Sequence, residues 1–427
     1  MESSVPLPFP QARPEVESLT AYSAPLEGRR GLLRLDFNEN TVGPSPQVVA
    51  AIRAMPADHF AIYPEYDGLR EAVVASLVAT AGAAAPQAPG SGGLSADHIG
   101  LFNGVDAAIH AVFHAYGDRG DRLLTTSPTF GYYTPCAQMQ GMVIEATPYG
   151  LPDFAFPLEA LKAALLRPGV APPKLLLICN PNNPTGTRLA PDQILALAAA
   201  APQTLVVVDE LYEAFTGDSV LPGLLGCVQP VGGLVSAAPG VVAQAPVGSS
   251  FGSEACSQAV CPPSHSGGGD PFAAYPNLVV LRSLAKTAGL AGLRIGFAIG
   301  APAVVDRISR VTGPYDINSL AVTAALAALA DQAYVDAYVA EVLGARDWLV
   351  AQLLQAGVRH HSAGGNYLLI WPQADPRAVE QALRQAGILV RSMAGKPLID
   401  GSLRVSLGTK AQMEQFWRAY GAIERLA

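Results

Sequence analysis

Apolar residues along the chain fall into short runs rich in β-branched residues and longer runs rich in alanine and leucine. The short runs include LLLICN at 175–180, LVVVD at 205–209 and LVVLRS at 278–283, and ILALAAAA at 194–201 is one of the longer runs. Continuous apolar strands that alternate with helices are typical of a mainly parallel sheet covered by helices. We therefore predict an α/β fold.

Polar residues end or follow several of these predicted strands. Asp209 closes one run, Ser283 closes another, and Asn183 follows a third. In parallel α/β sheets, ligands bind beyond the carboxyl ends of the strands. The pattern therefore predicts a binding cleft at this edge of the sheet.

The pattern changes towards the C-terminus, where a long helical stretch at 319–343 precedes short strands such as NYLLIWP, ILVRSM and SLRVSLG. We expect this tail to form a smaller α+β domain. A chain of 427 residues, half of them apolar, is long enough to bury two domains around one cleft. The predicted division is an N-terminal arm with part of the small domain at 1–55, a large domain at 56–300 and a small domain at 301–427.

The stretch 217–275 shows neither the two-residue alternation of a strand nor the 3.6-residue period of a helix. Glycine, proline, serine, alanine and valine dominate it, and charged residues are almost absent. Because long segments without secondary structure are uncommon inside compact domains, we predict a poorly ordered surface insert. A functional lid is the less favoured alternative.

Charge and composition narrow the class of protein. A formal net charge of −8 argues against a broad nucleic-acid surface, although a local anion site is compatible with it. No apolar run approaches the roughly 18 residues of a membrane span, and the start MESSVPLPFP lacks the layout of a signal peptide. Five cysteines without CxxC pairs indicate neither a disulfide framework nor a zinc site. We expect a cytoplasmic protein that acts on small molecules, without a membrane or nucleic-acid partner.

Two segments at predicted strand ends carry side chains suited to a charged aromatic ligand. NPNNPTG places the amide of Asn183 in a loop directly after a strand. VVVDELY ends an almost wholly apolar strand in Asp209, whose carboxylate needs a cationic or hydrogen-bonding partner because an isolated buried charge is costly. A protonated pyridine nitrogen would satisfy it, and Tyr212 lies close by in the sequence.

Two further segments supply an amine and a phosphate site. LRSLAKTAGLAGLRIGF delivers Ser283, Lys286 and Arg294. An apolar setting lowers the pKa of a lysine towards the partly deprotonated state that Schiff-base chemistry requires. FNGVDAAIH places Gly104 before a predicted helix, whose N-terminal amides attract phosphate. Taken singly, such residues are more often a loop lysine, a helix cap, a salt-bridge arginine or a turn glycine.

With these segments in this order, the chain resembles the fold-type I aminotransferases and, within them, the histidinol-phosphate aminotransferases. The resemblance covers roughly 20–216 and 277–415 and rests on LTAYSAP, RLDFNENTVGPSP, IYPEYDGLREAV, NGVDAAI, SPTFGYY, NPNNPTG, VVVDELYEAF, LRSLAKTAGLAGLRIGF and SLRVSLGT. It implies a large domain with a mainly parallel seven-stranded sheet flanked by helices, and a smaller α+β domain. It also implies pyridoxal 5′-phosphate as cofactor and a homodimer with shared sites.

The resemblance implies roles for individual residues around the cofactor. Lys286 is the expected Schiff-base lysine and carries the proton between substrate and cofactor, and Asp209 is expected to keep the pyridine nitrogen protonated. Tyr212 is the third predicted catalytic residue, and like Asn183 it is expected to contact the phenolate oxygen. The expected stacking ring and phosphate ligands are Phe130, Val105, Asp106, Ser283, Arg294, and Tyr63 from the neighbouring subunit.

Substrate recognition is expected from a second set of residues. Arg404 in SLRVSLG matches the arginine that binds the substrate anion, and Arg391 matches a second such arginine of the histidinol-phosphate branch. Two guanidinium groups suit a phosphate better than a lone carboxylate, whereas the alternative for Arg391 is a surface ion pair. Tyr22 in LTAYSAP is expected to close over the substrate, with Asn38 and Glu39 lining the cleft.

The predicted reaction is transfer of the amino group between L-histidinol phosphate and 2-oxoglutarate in histidine biosynthesis. It would yield imidazole-acetol phosphate and glutamate, with both half-reactions at one site. The alternatives are an aminotransferase for aromatic amino acids, a phosphothreonine-type decarboxylase, and a non-enzymatic protein that keeps the fold without turnover. Phe130, where tyrosine is usual, and the long insert depart from the family pattern without removing a residue that the chemistry requires.

Overall fold

A computed structural model gives the three-dimensional structure of the protein. The residues that it describes are 10–20, 27–82, 93–226 and 269–426. The predicted substrate residue Tyr22 and the central part of the predicted insert, 227–268, lie outside the described residues. The closing role of Tyr22 therefore stays a prediction.

Within these ranges the chain forms thirteen β-strands and thirteen α-helices, numbered in chain order. The strands are β1 (Leu33–Arg34), β2 (Ile99–Phe102), β3 (Arg122–Ser127), β4 (Val143–Pro148), β5 (Leu175–Cys179), β6 (Leu205–Asp209), β7 (Leu278–Ser283), β8 (Gly296–Gly300), β9 (His360–His361), β10 (Tyr367–Ile370), β11 (Ile388–Leu389), β12 (Arg391–Ser392) and β13 (Leu403–Ser406). The helices are α1 (Pro14–Glu17), α2 (Pro46–Arg53), α3 (Leu69–Ala81), α4 (Val105–Tyr116), α5 (Tyr133–Gln140), α6 (Leu158–Leu165), α7 (Pro191–Ala200), α8 (Leu221–Leu224), α9 (Pro302–Ser309), α10 (Ser319–Leu329), α11 (Gln332–Gln355), α12 (Pro376–Gln385) and α13 (Lys410–Glu424).

Seven strands form one large sheet in the order β2-β8-β7-β6-β5-β3-β4. Neighbouring strands from β7 to β4 run parallel, and β8 runs antiparallel to both β7 and β2. All residues of β5 and β6 are buried, as expected of strands that are covered on both faces. The predicted mainly parallel seven-stranded sheet is confirmed.

The loops after the parallel strands lie at one edge of this sheet. Strands β3, β5, β6 and β7 end there at Ser127, Cys179, Asp209 and Ser283. Strand β2 runs in the same direction, because both β2 and β7 are antiparallel to β8, so Phe102 and the start of α4 reach this edge as well. The polar residues that follow the strands are thereby brought to the same side of the sheet.

A second sheet builds the smaller α+β part of the protein. Its four antiparallel strands have the order β12-β13-β10-β9, and β1 pairs with β11 in a separate two-stranded sheet. Helix α12 begins after Asp375, whose carboxylate accepts hydrogen bonds from two backbone N–H groups of the first turn. Helix α13 begins with a capping box between Thr409 and Gln412. Both helix starts are therefore specified locally by the sequence.

The described residues form two large hydrophobic cores, which share helix α11, and one small cluster around Phe154 and Leu369. The first core includes Val48 of α2, Ile308 of α9, residues of α10, and Val335 in the first turn of α11. The second core contains Tyr338 of the same helix and Leu35 next to β1. By packing, α2, α9 and α10 belong with the large sheet. A continuous helix, α11, passes from one core to the other, and the domain boundaries at residues 55 and 300 stay a prediction.

Both described ends of the predicted insert belong to the folded protein. Val220, Leu221 and Phe272 are buried in the first core. Asp270 lies 3.1 Å from Nε2 of the buried His98 and accepts a hydrogen bond from the backbone N–H of Phe272. Poor order from residue 217 to residue 275 is therefore a wrong prediction at both ends, because apolar residues there fill the core.

No single helix in the described part of the chain is long and apolar enough to cross a membrane. Helices α10 and α11 reach that length and hydropathy only as a pair, and the two are bent by 79°. Ala321, Ala324 and Ala325 of α10 are fully buried in the first core.

Candidate active site

Asp209 ends strand β6 as a fully buried carboxylate. The hydroxyl of Tyr133 donates to its Oδ2 at 2.7 Å, and the backbone N–H of Leu211 donates to its Oδ1 at 3.2 Å. Burial raises the pKa of Asp209 to about 6, and these two hydrogen bonds oppose the rise only in part. Because both donors are neutral, a cationic ligand group would be a favourable further partner for this carboxylate.

Lys286 follows strand β7 and presents a largely buried amine. Its Nζ donates a hydrogen bond to the backbone oxygen of Phe37 at 2.9 Å. Burial, and next the positive charge of Arg404, lower the pKa of Lys286 to about 8. A larger fraction of this amine is therefore neutral at physiological pH than of an exposed lysine, as a nucleophilic lysine requires.

Asn183 and Tyr212 meet residues of the small sheet and of the N-terminal segment. Arg404 on β13 donates to Oδ1 of Asn183 at 2.8 Å and to the backbone oxygen of Asp36 at 2.6 Å. The hydroxyl of Tyr212 lies 3.1 Å from Nδ2 of Asn38. Burial raises the pKa of Tyr212, so its hydroxyl is protonated at neutral pH. The predicted phenolate-binding pair and the predicted anion arginine thus share one cluster.

The start of helix α4 and Arg294 form a close-packed cradle. Gly104 precedes the helix with a φ of 84°, and a Cβ there would lie 2.5 Å from Nη2 of Arg294. A Cβ on Gly296 would lie 2.6 Å from the backbone of Gly104. Val105 and Asp106 are the first residues of α4, so their N–H groups have no acceptor within the helix. Backbone amides, the helix dipole and a guanidinium in contact are a donor set that fits a phosphate.

Two predicted phosphate ligands make other contacts in this structure. Arg294 donates to the carboxylate of Asp106 at 2.8 Å. The hydroxyl of Ser283 donates to the backbone oxygen of Ile295 at 2.8 Å and accepts from the N–H of Ala285 at 3.1 Å. Ser283 thus contacts Ile295, the residue that follows Arg294, but its proton is directed to the backbone.

The two predicted aromatic contacts differ in their surroundings. Phe130 lies between β3 and α5, with its ring edge-to-face on Tyr133 at a centroid distance of 5.4 Å. Since Tyr133 donates to Asp209, Phe130 lies next to the residues around that carboxylate. Tyr63 is 71% exposed and stacks on Tyr315 at 4.1 Å. On the described chain, Tyr63 therefore faces the molecular surface.

Arg391 lies directly opposite Arg404 in the antiparallel pair β12 and β13. Residues opposite each other in a sheet project to the same face, so the two guanidinium groups belong to one side. The guanidinium carbon of Arg391 lies 5.9 Å from the ring centroid of Phe37, and that of Arg29 lies 4.2 Å from it. Among the described residues Arg391 forms no salt bridge, so the alternative of a surface ion pair is not supported.

Glu39 is held by two arginines. Arg29 donates to both of its carboxylate oxygens at 3.0 Å, and Arg34 donates to one of them at 3.2 Å. Burial alone would raise the pKa of Glu39, but the hydrogen bonds and charges of the arginines outweigh burial and lower it. Arg29 also pairs with Asp36. This ion-pair network fixes the segment that carries Phe37.

Sequence reasoning missed three residues of the site. Tyr133 is the side-chain donor to Asp209, Asn182 accepts from Tyr367 through its backbone oxygen at 2.7 Å, and Ser406 contacts Asn38. Tyr133 and Asn182 stand within SPTFGYY and NPNNPTG, so these strings were signals for them. Ser406 likewise stands within SLRVSLGT, on the strand of Arg404.

Taken together, the described groups suit a ligand with three features. The amine of Lys286 suits a reactive carbonyl, the carboxylate of Asp209 suits a cationic ring nitrogen, and the cradle at Gly104 suits a phosphate. Pyridoxal 5′-phosphate combines these features.

Comparisons with known proteins identify the family of the chain. The sequence profile of the family described as aminotransferase class I and II matches residues 30–243 and 250–419. Histidinol-phosphate aminotransferases from Symbiobacterium thermophilum and Roseiflexus castenholzii are each 31% identical to the chain. The first alignment covers 92% of this chain and 91% of the relative, and the second covers 94% of both.

The fold is shared with solved structures. The crystal structure of histidinol-phosphate aminotransferase from Sinorhizobium meliloti in complex with pyridoxal-5′-phosphate superposes with a TM-score of 0.73, over 98% of this chain and 99% of that chain. At 22% identity this likeness shows the fold alone. The family profile and the two relatives decide the assignment: the chain belongs to the class I and II aminotransferases and, within them, to the histidinol-phosphate aminotransferases.

Proposed function

We propose that the protein is a pyridoxal-phosphate-dependent transaminase that moves the amino group between L-histidinol phosphate and 2-oxoglutarate in histidine biosynthesis. The observation that carries the choice of donor is the pair of Arg391 and Arg404, opposite each other on β12 and β13. Like charges in this arrangement destabilise a sheet. A doubly charged phosphate offsets the repulsion and accepts hydrogen bonds from both guanidinium groups.

The position of the reactive amine supports the same proposal. Arg404 donates to the backbone oxygen of Asp36, and Lys286 donates to the backbone oxygen of the next residue, Phe37. Arg391 lies near the ring of Phe37. One short segment therefore contacts both arginines and the amine, so a small substrate anchored by its anion has its amino group within reach of Lys286.

The cofactor would be held by residues from several strand ends. The N-terminal amides of α4, at Val105 and Asp106, and the guanidinium of Arg294 would bind its phosphate. Phe130 would stack on its ring, Asn183 and Tyr212 would contact its phenolate oxygen, and Ser283 would be a further ligand of the phosphate. The fit of these groups rests on the cradle at Gly104, where only a hydrogen side chain leaves room for Arg294.

Two ionisable residues would carry the chemistry. Pyridoxal phosphate, when bound, supplies an electron-accepting ring that stabilises the charge left on the substrate Cα after loss of its proton. Asp209, with a pKa of about 6, is mostly ionised at pH 7 and would keep the ring nitrogen protonated. Lys286, with a pKa of about 8, would take the proton from the substrate Cα at its Nζ.

A homodimer in the cytoplasm is part of the proposal. Three exposed apolar residues lie close together in the sequence, and one of them, Tyr63, stacks on an exposed tyrosine from another part of the chain. These residues are Phe60, Ile62, Tyr63 and Tyr315, with exposed fractions of 66%, 51%, 71% and 54%. Exposed apolar clusters of this kind mark interaction surfaces. We infer that a second copy covers this surface and that Tyr63 reaches the cofactor phosphate of the neighbouring subunit.

The choice of donor is tested by comparing kcat/KM for L-histidinol phosphate and for phenylalanine in the wild type and in Arg391→Ala. Loss of one charge-assisted contact should lower kcat/KM for histidinol phosphate about 10- to 100-fold and change that for phenylalanine less than about threefold. Arg377→Ala, an exposed arginine of α12, is the matched control and should leave both values unchanged. Equal losses for both donors, or a wild type that prefers phenylalanine, would replace the proposed substrate by an aromatic amino acid.

A further inference from the structure

Asn38 and Ser406 form a buried pair that joins the N-terminal segment to strand β13. The backbone N–H of Asn38 donates to Oγ of Ser406 at 2.8 Å, and the same Oγ lies 2.8 Å from Oδ1 of Asn38. Both residues are almost completely inaccessible to solvent. Asn38 has a φ of 55°, a left-handed conformation that asparagine tolerates better than most residues.

The chemistry of the donors fixes the direction of each bond in this pair. A backbone N–H can only donate and an amide oxygen can only accept, so the Ser406 oxygen accepts from the N–H of Asn38 and donates its own proton to Oδ1 of Asn38. The amide of Asn38 is thereby oriented with its oxygen towards Ser406. Its nitrogen lies 3.1 Å from the hydroxyl of Tyr212. Since an amide nitrogen can only donate, the Tyr212 oxygen must accept.

The proton of Tyr212 is consequently left for another acceptor. Within the described part of the chain, Asn38 is the one hydrogen-bond partner of this hydroxyl. The charged and titratable groups that face Tyr212 are Arg404, Asp209, Cys179 and Tyr367. A phenol that accepts one hydrogen bond becomes a better donor of its own proton, because hydrogen bonds in a chain strengthen one another.

We propose that Ser406 is a positioning residue: by fixing the amide of Asn38, it makes Tyr212 accept on one side and so directs the Tyr212 proton towards an anionic oxygen in the cleft. The proposal rests on the proposed function, since that oxygen is the phenolate of pyridoxal phosphate. Alternate residues of a strand share a face, so β13 presents Ser406 on the side of Arg404. One strand thus supplies both the anion-binding arginine and the group that orients Tyr212.

The pH titration of the bound chromophore provides a test that does not depend on turnover. Hydrogen-bond donation to the phenolate favours its deprotonated form, so weaker donation raises the midpoint of the pH-dependent absorbance change. Ser406→Ala in the reconstituted protein should raise this midpoint by about half to one pH unit, or three- to tenfold in proton affinity. Ser406→Thr keeps the hydroxyl and should retain the wild-type midpoint.

A double-mutant cycle separates positioning from a packing effect. In a Tyr212→Phe background, Ser406→Ala should leave the midpoint unchanged, because no phenol proton remains to be directed. Equal shifts in both backgrounds, or no shift in either, would overturn the proposal. A wild-type protein that shows no cofactor absorbance after reconstitution would overturn the proposed function and this inference with it.

Asn38→Asp supplies a second variant that does not require an alanine in the buried position of Ser406. Its carboxylate has the same shape and tolerates the left-handed backbone, but it can only accept, so Tyr212 turns its proton to residue 38. The midpoint should rise at least as far as in Ser406→Ala, and further when Tyr212 is present than in Tyr212→Phe. A rise of the same size in both backgrounds would show that charge alone acts, and would contradict the positioning role.

Discussion

Burial shifts the pKa values of Asp209 and Lys286 in opposite directions. It raises the pKa of the carboxyl group to about 6 and, together with the charge of Arg404, lowers the pKa of the amine to about 8. Each shift favours the neutral form, because a buried charge is costly without an opposite charge beside it. At neutral pH, Asp209 nevertheless remains ionised in most molecules, and its burial then costs stability.

Replacing Asp209 by asparagine should therefore stabilise the cofactor-free protein and weaken cofactor binding. A folded-state pKa above the unfolded value means that the folded state binds more protons between about pH 4 and pH 6, so the free energy of unfolding falls as pH rises through that window. At pH 7, Asp209→Asn should raise the free energy of unfolding by about 1–3 kcal/mol, and much less at pH 4. Urea unfolding at both pH values measures this effect.

The control for this prediction is Asp192→Asn, an exposed residue of α7. It should leave the Kd for pyridoxal phosphate unchanged and lower the free energy of unfolding by less than about 1 kcal/mol, because its charge lies in the first turn of that helix. Asp209→Asn should raise that Kd at least about tenfold, since a charge-assisted contact is lost. A destabilised cofactor-free variant, or an unaltered Kd, would speak against the role of this carboxylate.

Sequence motifs predicted the residues that stand in short, characteristic strings. Asp209 at the end of an apolar strand, and Lys286 and Arg294 in one segment, could be singled out from position and chemistry. Their hydrogen-bond partners could not, because Tyr133 lies 76 positions from Asp209 and Ser406 lies 368 positions from Asn38. Only the folded sheet brings such residues together.

At the scale of elements, the turn from β2 into α4 is the part of the fold most closely tied to the site. Gly104 has φ 84° and ψ 165°, a backbone region that is almost restricted to glycine. Its sequence context predicted a helix start but not the guanidinium of Arg294 packed against it. The turn and the arginine therefore restrict each other.

Gly104→Ala should disrupt the cradle by both strain and collision. The backbone strain alone costs about 1–3 kcal/mol, and the new Cβ would have to displace Arg294. Gly120→Ala is the matched control, because Gly120 has a φ of 86° and open space around it. Both variants should lower the melting temperature, but only Gly104→Ala should weaken pyridoxal phosphate binding, by about tenfold or more.

Titration of each cofactor-free variant with pyridoxal phosphate distinguishes the backbone strain from the collision with Arg294. Similar affinities for the two variants would show that the backbone conformation, rather than the contact with Arg294, matters at this turn.

The ends of the predicted insert show where short elements could not be predicted from the sequence. Short α8 and the single buried Phe272 are too brief to leave a period in the sequence, so their burial was not predictable.

At the scale of the whole molecule, helix α11 ties the two halves together. Its 24 residues pass from the first core at Val335 to the second at Tyr338. The sequence of a long helix does not show which neighbour each turn faces, so the passage of α11 from one core to the other could not be predicted. The fold class itself followed from the alternation of strands and helices, which is a repeated signal.

The exposed surface around Tyr63 leads to a prediction about assembly. Ile62→Glu should shift the protein from dimer to monomer in sedimentation velocity, because the dimer interface would bury the new carboxylate without a partner. Leu151→Glu, at an equally exposed apolar residue, is the control and should leave the assembly unchanged. A monomeric wild type would remove the proposed shared site.

Mixing an inactive variant, Lys286→Ala, with Tyr63→Ala, which should be impaired, tests which subunit Tyr63 serves. Dimers of Lys286→Ala and of Tyr63→Ala each lack one component of every site. If Tyr63 acts on the neighbouring subunit, mixed dimers contain one complete site and should regain up to about half of the wild-type activity per dimer. No recovery after subunit exchange would place Tyr63 outside the neighbouring site.

The attachment of the cofactor to Lys286 can be tested directly. The chain has five lysines, at positions 162, 174, 286, 396 and 410. Reduction of the reconstituted protein with borohydride, followed by mass spectrometry of its peptides, locates the attachment. We predict the added mass of pyridoxal phosphate on Lys286 alone, and none after Lys286→Ala. Attachment at another lysine, or at no lysine, would contradict the assignment of the active site.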